Sequence, residues 1–385
     1  AVSPWHLQFS RGAREAAFIT LAVTLLALCL AEGFRVTSNT PDTGRRRVIV
    51  SWGVGAAIAS LLAIYSYPGG VVFVPLMIAG WAWAWRARLR EVVPAIAAAV
   101  VVVAIGAIPL ARQLLDGRIG ARFAQASILN DPALYETASR RIARDVEAGV
   151  PWVFDHPFAI AARTAIDAYI GHFNPTFLFT SGDAQPRHHG TDTGQMYLWD
   201  ALPILVGIAT ILHRRRNPAH AAVGLWLLVG PVPASLATEA PHAVRTIVML
   251  PAWYLVGAIG ATAIWRRVTH AARRATTASG TTTSVRALRR AGPALAIIYA
   301  AMLIPTAAYY VDATRRYYPV EYASYWLDGV LEAFTRAQSR IDAGEFRRVV
   351  IPPNNSDVYL HALWATRYDP ARYLSVGGTG QRGTL

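Results

Sequence analysis

Lysine is absent from the chain, and cysteine occurs once, at Cys29. That cysteine lies inside an apolar run, so no intrachain disulfide can form and the redox compartment cannot be read from it. Charge of either sign is scarce: 16% of residues are charged, where soluble domains carry about a quarter. The shortage excludes an ordinary soluble domain, and 54% hydrophobic content with a mean hydropathy of +0.31 points to a membrane protein. With no lysine, all the positive charge behind the net +14 comes from arginine. A basic balance also suits nucleic-acid binding, but these arginines cluster between apolar blocks. Such spacing is expected where positive charge marks cytoplasmic loops. The opening "AVSPWHLQFSRGAREAAF" has neither an initiator Met nor the pattern of a secretory signal. It reads as the middle of a longer protein, with an upstream part expected before Ala1.

Eight apolar runs are candidate membrane spans: Ala16–Ala31, Val48–Tyr65, Val71–Trp85, Val92–Leu110, Tyr197–Leu212, Ala221–Ala237, Thr246–Trp265 and Pro293–Val311. Arg45–Arg47, the Arg86/Arg88/Arg90 cluster, Arg214–Arg216 and the Arg266–Arg290 segment fall at alternate connections, which are therefore read as cytoplasmic. The last is rich in Ser, Thr and Gly, contains no acid, and reads as a flexible loop; a lipid-headgroup or partner site is the other reading. The N-terminal segment, "YSYPGG", the long loop 111–196, "TEAPHAVRT" and the tail then face outward. Within the loop, "LYETASRRIARDVEAG" predicts a polar surface helix. Phe158, Ala162, Ala165, Ile166, Tyr169, Ile170 and Phe173 recur at the spacing of a helix lying in the membrane interface. In the tail, a helix around Tyr322–Ile341, a buried strand "RRVVIPP" and a helical "SDVYLHALWATRYDP" predict a small α/β cap. The expected architecture is an all-α polytopic membrane region over 1–311 with a small α/β domain on the outer face over 312–385.

Typical ion-coupled transporters place ionisable groups near the bilayer midplane; here the span middles hold almost none and the polar groups crowd the outward ends. Four outward segments carry candidates. "SPWHLQFSRGARE" offers His6, Arg11, Arg14 and Glu15, as interfacial anchors or with Arg11 or Glu15 facing a substrate. "YSYPGG" offers Tyr65 and Tyr67, which also suit an aromatic belt. "TEAPHAVRT" sets Glu239, His242 and Arg245 within seven residues, where an arginine can grip a phosphate bidentately. The densest stretch is "GHFNPTFLFTSGDAQPRHHGTDTGQMYLWDALP", with His172, Asn174, Asp183, Arg187, His188 and His189, then Gln195 and Tyr197 opening the next span. Arg187 with a histidine suits a phosphate, with Asp183 orienting one of them; the alternative is a structural loop whose polar groups satisfy each other. Adjacent histidines rarely ligate one metal and no regular zinc spacing occurs, so no metal site or cofactor is assigned, with a divalent cation left open.

"HFNPTFLFTSGDAQPRHH…GQMYLWDALPIL", followed by "TEAPHAVRTIVMLPAW", resembles the bacterial branch of the GT-C membrane glycosyltransferases, the group of the dolichyl-phosphate-mannose protein mannosyltransferases and the aminoarabinose transferases. "SPWHLQFSRGAREA" and "YDPARY" fit the same pattern, which runs loosely along the whole chain. The resemblance implies transfer of a sugar, with inversion, from a polyprenyl-phosphate donor to a protein, lipid or glycan acceptor on the outer face of a bacterial plasma membrane. It also implies an essential acidic residue in a first outer loop. This sequence lacks that loop, so the catalytic carboxylate is expected upstream of Ala1, and the chain alone is expected to lack its base. The implied donor and acceptor contacts are Arg11, Glu15, Tyr67, His172, Asp183, Arg187, His188, His189, Tyr197, Glu239, His242 and Arg245. The competing expectations are an O-antigen ligase or polymerase using diphosphate-linked oligosaccharides, and a non-enzymatic polysaccharide export or assembly protein.

Overall fold

The computed structural model describes residues 2–12, 15–39, 42–116, 126–279, 282–350 and 358–377. The chain forms two compact units, Ala1–Asp312 and Ala313–Leu385. The first is built from helices α1 (Pro4–Arg11), α2 (Ala16–Asn39), α3 (Asp42–Ser66), α4 (Gly70–Ala84), α5 (Val93–Gly106), α6 (Ile108–Leu115), α7 (Pro132–Glu147), α8 (Pro157–Gly171), α9 (Ala201–His213), α10 (Pro218–Val229), α11 (Leu250–Ser279) and most of α12 (Thr282–Arg316). Proline in the first turn starts several of them, where its missing N–H would go unpaired anyway. The Asp131 side chain caps α7 through the Ala133 N–H, and the Asn217 side chain caps α10 through the Ala219 and His220 N–H groups.

Five of the described helical segments are long and apolar enough to cross a membrane: Ala16–Val36, Gly44–Ser66, Arg86–Gly106, Ile247–Ala271 and Gly292–Arg316. They are consistent with a multi-pass integral membrane protein. Their outward faces agree: Phe18, Leu21, Leu25 and Leu28 on α2 and Val100, Val101 and Ile105 on α5 are exposed, a pattern suited to lipid rather than water. Five of the eight expected runs carry these segments, and the other three are shorter. Α4 and the Leu198–His213 segment are shorter apolar helices. The run Ala221–Ala237 breaks after Val229 into α10 and a single turn, Val232–Ser235. Pro231 and Pro233 cannot donate the N–H groups that a continuous helix needs. Val92–Leu110 likewise breaks between α5 and α6, where Pro109 enters.

Inside the bundle α2 packs on α3, α3 on α5, α4 on α10, and α9 on α11. Phe34 stacks on Trp85 with ring centres 5.0 Å apart, and Trp226 and Met249 are fully buried. Α9 and α11 cross at glycine: a Cβ on Gly260 would overlap the Pro203 carbonyl, and one on Gly207 the Val256 carbonyl. Only glycine lets two backbones approach this closely. Α8 turns its small residues Ala161 and Ala168 inward and leaves Phe158, Ile166 and Ile170 exposed, the arrangement an interfacial helix requires.

The α/β cap is not supported. Among the described residues there is no strand, and the isolated bridge between Ser127 and Ala237 lies far from the tail in sequence. Arg347–Val350 is irregular, and residues 351–353 of the expected strand lie outside the described residues. A short β-branched run needs a partner strand to satisfy its backbone, and the described tail supplies only helices. Besides single turns at Tyr318–Glu321 and Ala323–Trp326, these are α13 (Val330–Asp342), α14 (Val358–Ala365) and α15 (Pro370–Ser375). Α13 starts eight residues later than expected, because Leu327 and Gly329 adopt left-handed backbone after a 3-10 turn.

Candidate functional site

The histidine-rich loop leaves α8 at His172 and folds back on itself before α9 begins. The Gln195 N–H donates to the Phe177 carbonyl and the Met196 N–H to the Leu178 carbonyl (3.3 and 2.7 Å). Gly182 makes the tightest turn at φ +74°, where an added Cβ would lie 2.7 Å from that of His189. Two distant segments then lock onto the loop. Α1 enters from the N-terminal side: Trp5 is fully buried, its N–H donates to the Gln195 carbonyl and its indole Nε1 to the Ala243 carbonyl (3.0 and 3.1 Å). Gln8 donates to the Arg187 carbonyl at 3.0 Å and accepts from the Tyr310 hydroxyl at 3.1 Å. The Tyr197 hydroxyl reaches the Val2 carbonyl at 2.8 Å.

Asp183 is the knot that ties loop 172–200 to the turn before α11. Its Oδ2 accepts the Ala243 N–H at 2.6 Å and the His188 Nδ1–H at 2.9 Å, and its Oδ1 accepts the Gln185 N–H at 2.9 Å. Burial alone would raise the carboxyl pKa, but the bonds from His188, Ala243 and Gln185 outweigh it and hold the group below its ordinary value. Because Asp183 can only accept, the proton of a neutral His188 sits on Nδ1 and its Nε2 is left with the lone pair. The His188 ring lies 4.7 Å, centre to centre, from that of His242. The backbone N–H of His242 donates in turn to Nε2 of the fully buried His172 at 3.1 Å.

His172 and His242 are held neutral. Burial lowers the His172 pKa to about 4, and burial with the Arg245 and His188 charges lowers that of His242 to about 3. Asp183, His188 and His242 each offer one ligand atom, all within 4.8 Å of one another, a spacing a cation could bridge. However, N–H donors already take both Asp183 oxygens, so the cluster is first a hydrogen-bond knot.

The expected cationic residues surround this knot. Arg187, next to His188, is partly exposed, and its Nε is buried without a hydrogen-bond partner. Arg245 donates to the Thr238 carbonyl and stands 4.0 Å from the exposed Glu239, so it ties down its own turn. His189 Nδ1 pairs with the Gly190 carbonyl at 2.8 Å. Arg11, exposed at the end of α1, reaches Gln8 Oε1 at 3.4 Å. Glu15 is exposed in the turn ahead of α2, Tyr67 packs at the edge of the apolar core against Gly69, and Arg14 lies outside the described residues. The residues brought together are therefore His172, Asp183, Arg187, His188, His242 and Arg245, while Tyr197 pairs with Val2 and Asp200. No family model, curated protein or solved structure matches the chain.

Sequence reasoning passed over three contributors. Trp5 and Gln8 sit on one face of α1, and a polar residue between two buried aromatics was the available signal. Asp200 is a second buried carboxylate, accepting from the Tyr197 N–H (3.3 Å) and the Tyr254 and Tyr299 hydroxyls (3.4 and 2.5 Å). An acid just ahead of an apolar helix favours its N-terminus, which was the clue to Asp200. Chemically, the arrangement presents one imidazole in a fixed tautomer beside one guanidinium with spare donors. The guanidinium can donate to an oxyanion, while the Nε2 lone pair can only accept.

Proposed function

We propose that the chain belongs to a GT-C-like membrane glycosyltransferase that takes a sugar from a polyprenyl-phosphate donor on the outer face of a bacterial plasma membrane. The observation that carries the reading is the gathering of α1, loop 172–200 and the turn 237–246 around Asp183 at one end of the apolar helices, with Arg187 and His188 at its edge. A polar, cation-bearing end on an apolar bundle suits a substrate with a lipid tail and a charged phosphate. In this reading the Arg187 guanidinium grips the phosphate, while Asp183, His188 and Arg245 are positioning residues. In the transfer, an acceptor hydroxyl oxygen bonds to the anomeric carbon as the bond to the phosphate oxygen breaks. The hydroxyl proton passes to a carboxylate and the polyprenyl phosphate departs as the anion. Asp183 and Asp200 are engaged by N–H or O–H donors and are not assigned as that base.

The test is binding of polyprenyl phosphate, polyprenyl diphosphate and uncharged polyprenol to the chain in nanodiscs. A hydrogen bond to a charged group contributes about 1.5–3 kcal/mol, so Arg187→Ala should weaken phosphate binding roughly 10- to 150-fold and leave polyprenol unchanged. Equal binding of polyprenyl phosphate and polyprenol by wild type, or unchanged binding by Arg187→Ala, overturns the proposal. Binding of the diphosphate lipid in place of the monophosphate would reassign the chain to the ligase class.

A further inference from the structure

The opposite ends of α9 and α11 hold a second concentration of charge. Loop 172–200 and the turn 237–246 lead directly into these two helices, so both start at the histidine end and run the same way. Beyond their close crossing at Gly207 and Gly260, α9 stops at His213 while α11 continues to Ser279. A groove of about 910 Å³ lies between them there. Its basic lining is His213 and Arg214 from the end of α9, and Arg266, Arg267, His270 and Arg274 from α11. The last four fall at i, i+1, i+4 and i+8, one face of a helix. Val206, Ala209 and Ala263 give it an apolar floor.

No aspartate or glutamate is among the residues lining this groove. From Ala201 to Val311 the chain has one acid, Glu239, and it precedes α11 at the other end. Arg214, Arg266 and Arg267 face a groove with no carboxylate among its lining residues, and a bound anion relieves their mutual repulsion. The same helix also offers apolar surface: Leu202, Leu205 and Leu212 of α9 are all exposed. A ligand with a phosphate for the arginines and hydrocarbon for these leucines matches both features. Arginine is suited to it, since its planar fork meets two phosphate oxygens at once.

We propose that this groove binds the phosphate headgroup of an anionic phospholipid, whose acyl chains lie along α9. It is independent of the sugar-transfer reading and uses none of its residues. The test is native mass spectrometry of the intact chain in detergent, titrated with phosphatidylglycerol or with phosphatidylcholine of the same acyl chains, and with glycerol phosphate as a soluble competitor. Phosphatidylglycerol should be retained in preference to phosphatidylcholine. R266Q/R267Q should weaken it about 25-fold, roughly fivefold per arginine. R140Q/R144Q, on exposed positions of α7, should bind as wild type. Both groove arginines are exposed on a helix, so the double variant should keep the wild-type Tm; R214Q, at the end of α9, reports on the same groove should it not. Equal retention of the two lipids, wild-type binding by R266Q/R267Q and R214Q, or displacement by equimolar glycerol phosphate would each overturn the assignment.

Discussion

Asp183→Asn tests whether one carboxylate holds three parts of the chain together. The substitution keeps the shape of the side chain and removes its charge. Two of the three bonds that Asp183 accepts, from Ala243 and His188, can persist as neutral ones. A bond to a charged group contributes about 1.5–3 kcal/mol and a neutral one about 0.5–1.5, so these two together lose roughly 2 kcal/mol. The new NH₂ group must then face the Gln185 N–H, and a buried donor left without an acceptor costs about 1–3 kcal/mol. The sum is about 3–5 kcal/mol. At about 2–4 °C per kcal/mol, Tm should fall by roughly 6–20 °C. Asp192→Asn is the control: Asp192 is exposed with φ at 54°, a conformation asparagine adopts readily, so its Tm should stay within about a degree. The assay is thermal unfolding in detergent from pH 7 to pH 3. The folded-state pKa of Asp183 is depressed, so its stabilisation is complete above the ordinary carboxylate range near 4 and is lost as pH falls through the lower folded value. Wild type and D183N should therefore converge at the acid end. A Tm loss below about 2 °C at pH 7, or curves that stay parallel down to pH 3, would refute the reasoning.

His172 is protonated near pH 6.5 when unfolded but only at about 4 when folded, so its contribution to stability falls as pH drops through that window. His172→Gln, whose carbonyl can still accept the His242 N–H, should flatten the wild-type loss of Tm between pH 6.5 and 4; an unchanged slope would show that His172 is not its source. Gly260→Ala places a methyl group against the Pro203 carbonyl and should lower Tm by several degrees, whereas Gly224→Ala meets only Ile211 Cγ2, at 3.2 Å, and should cost far less. The reverse ranking would refute the close crossing. Because N–H donors occupy both Asp183 oxygens, treatment with EDTA should leave Tm unchanged within about 1 °C. A larger fall that one divalent cation restores would show a metal bound at Asp183, His188 and His242.

The helices were largely legible because apolar composition and arginine placement are local signals. What the sequence concealed was length. A hydropathy run counts Ala221–Ala237 as one block, although Pro231 divides its backbone. The tail misled for the opposite reason: "RRVVI" has strand composition, but a strand is a pairing, and no described segment of the tail pairs with it. At the site, Asp183, His188 and His242 were each visible as chemistry. The link between them runs through the Ala243 backbone N–H, a group every residue type but proline carries and no motif can display. Trp5 and Gln8 were hidden similarly, since their partners are the backbone carbonyls of Ala243 and Arg187.

The unequal lengths of α9 and α11 carry a consequence for how the two helices meet the membrane. Thirteen residues of α-helix rise about 20 Å, roughly 10 Å less than the hydrocarbon core of a typical bilayer. The thirty residues of α11 rise about 45 Å, more than the whole core. The apolar stretch of α11, Leu250–Trp265, rises only about 24 Å, so its arginine-bearing remainder stands beyond the hydrocarbon core. His213 and Arg214, at the end of the shorter helix, line the same groove as Arg266 and Arg267, so both helices bring their first basic residues to one level.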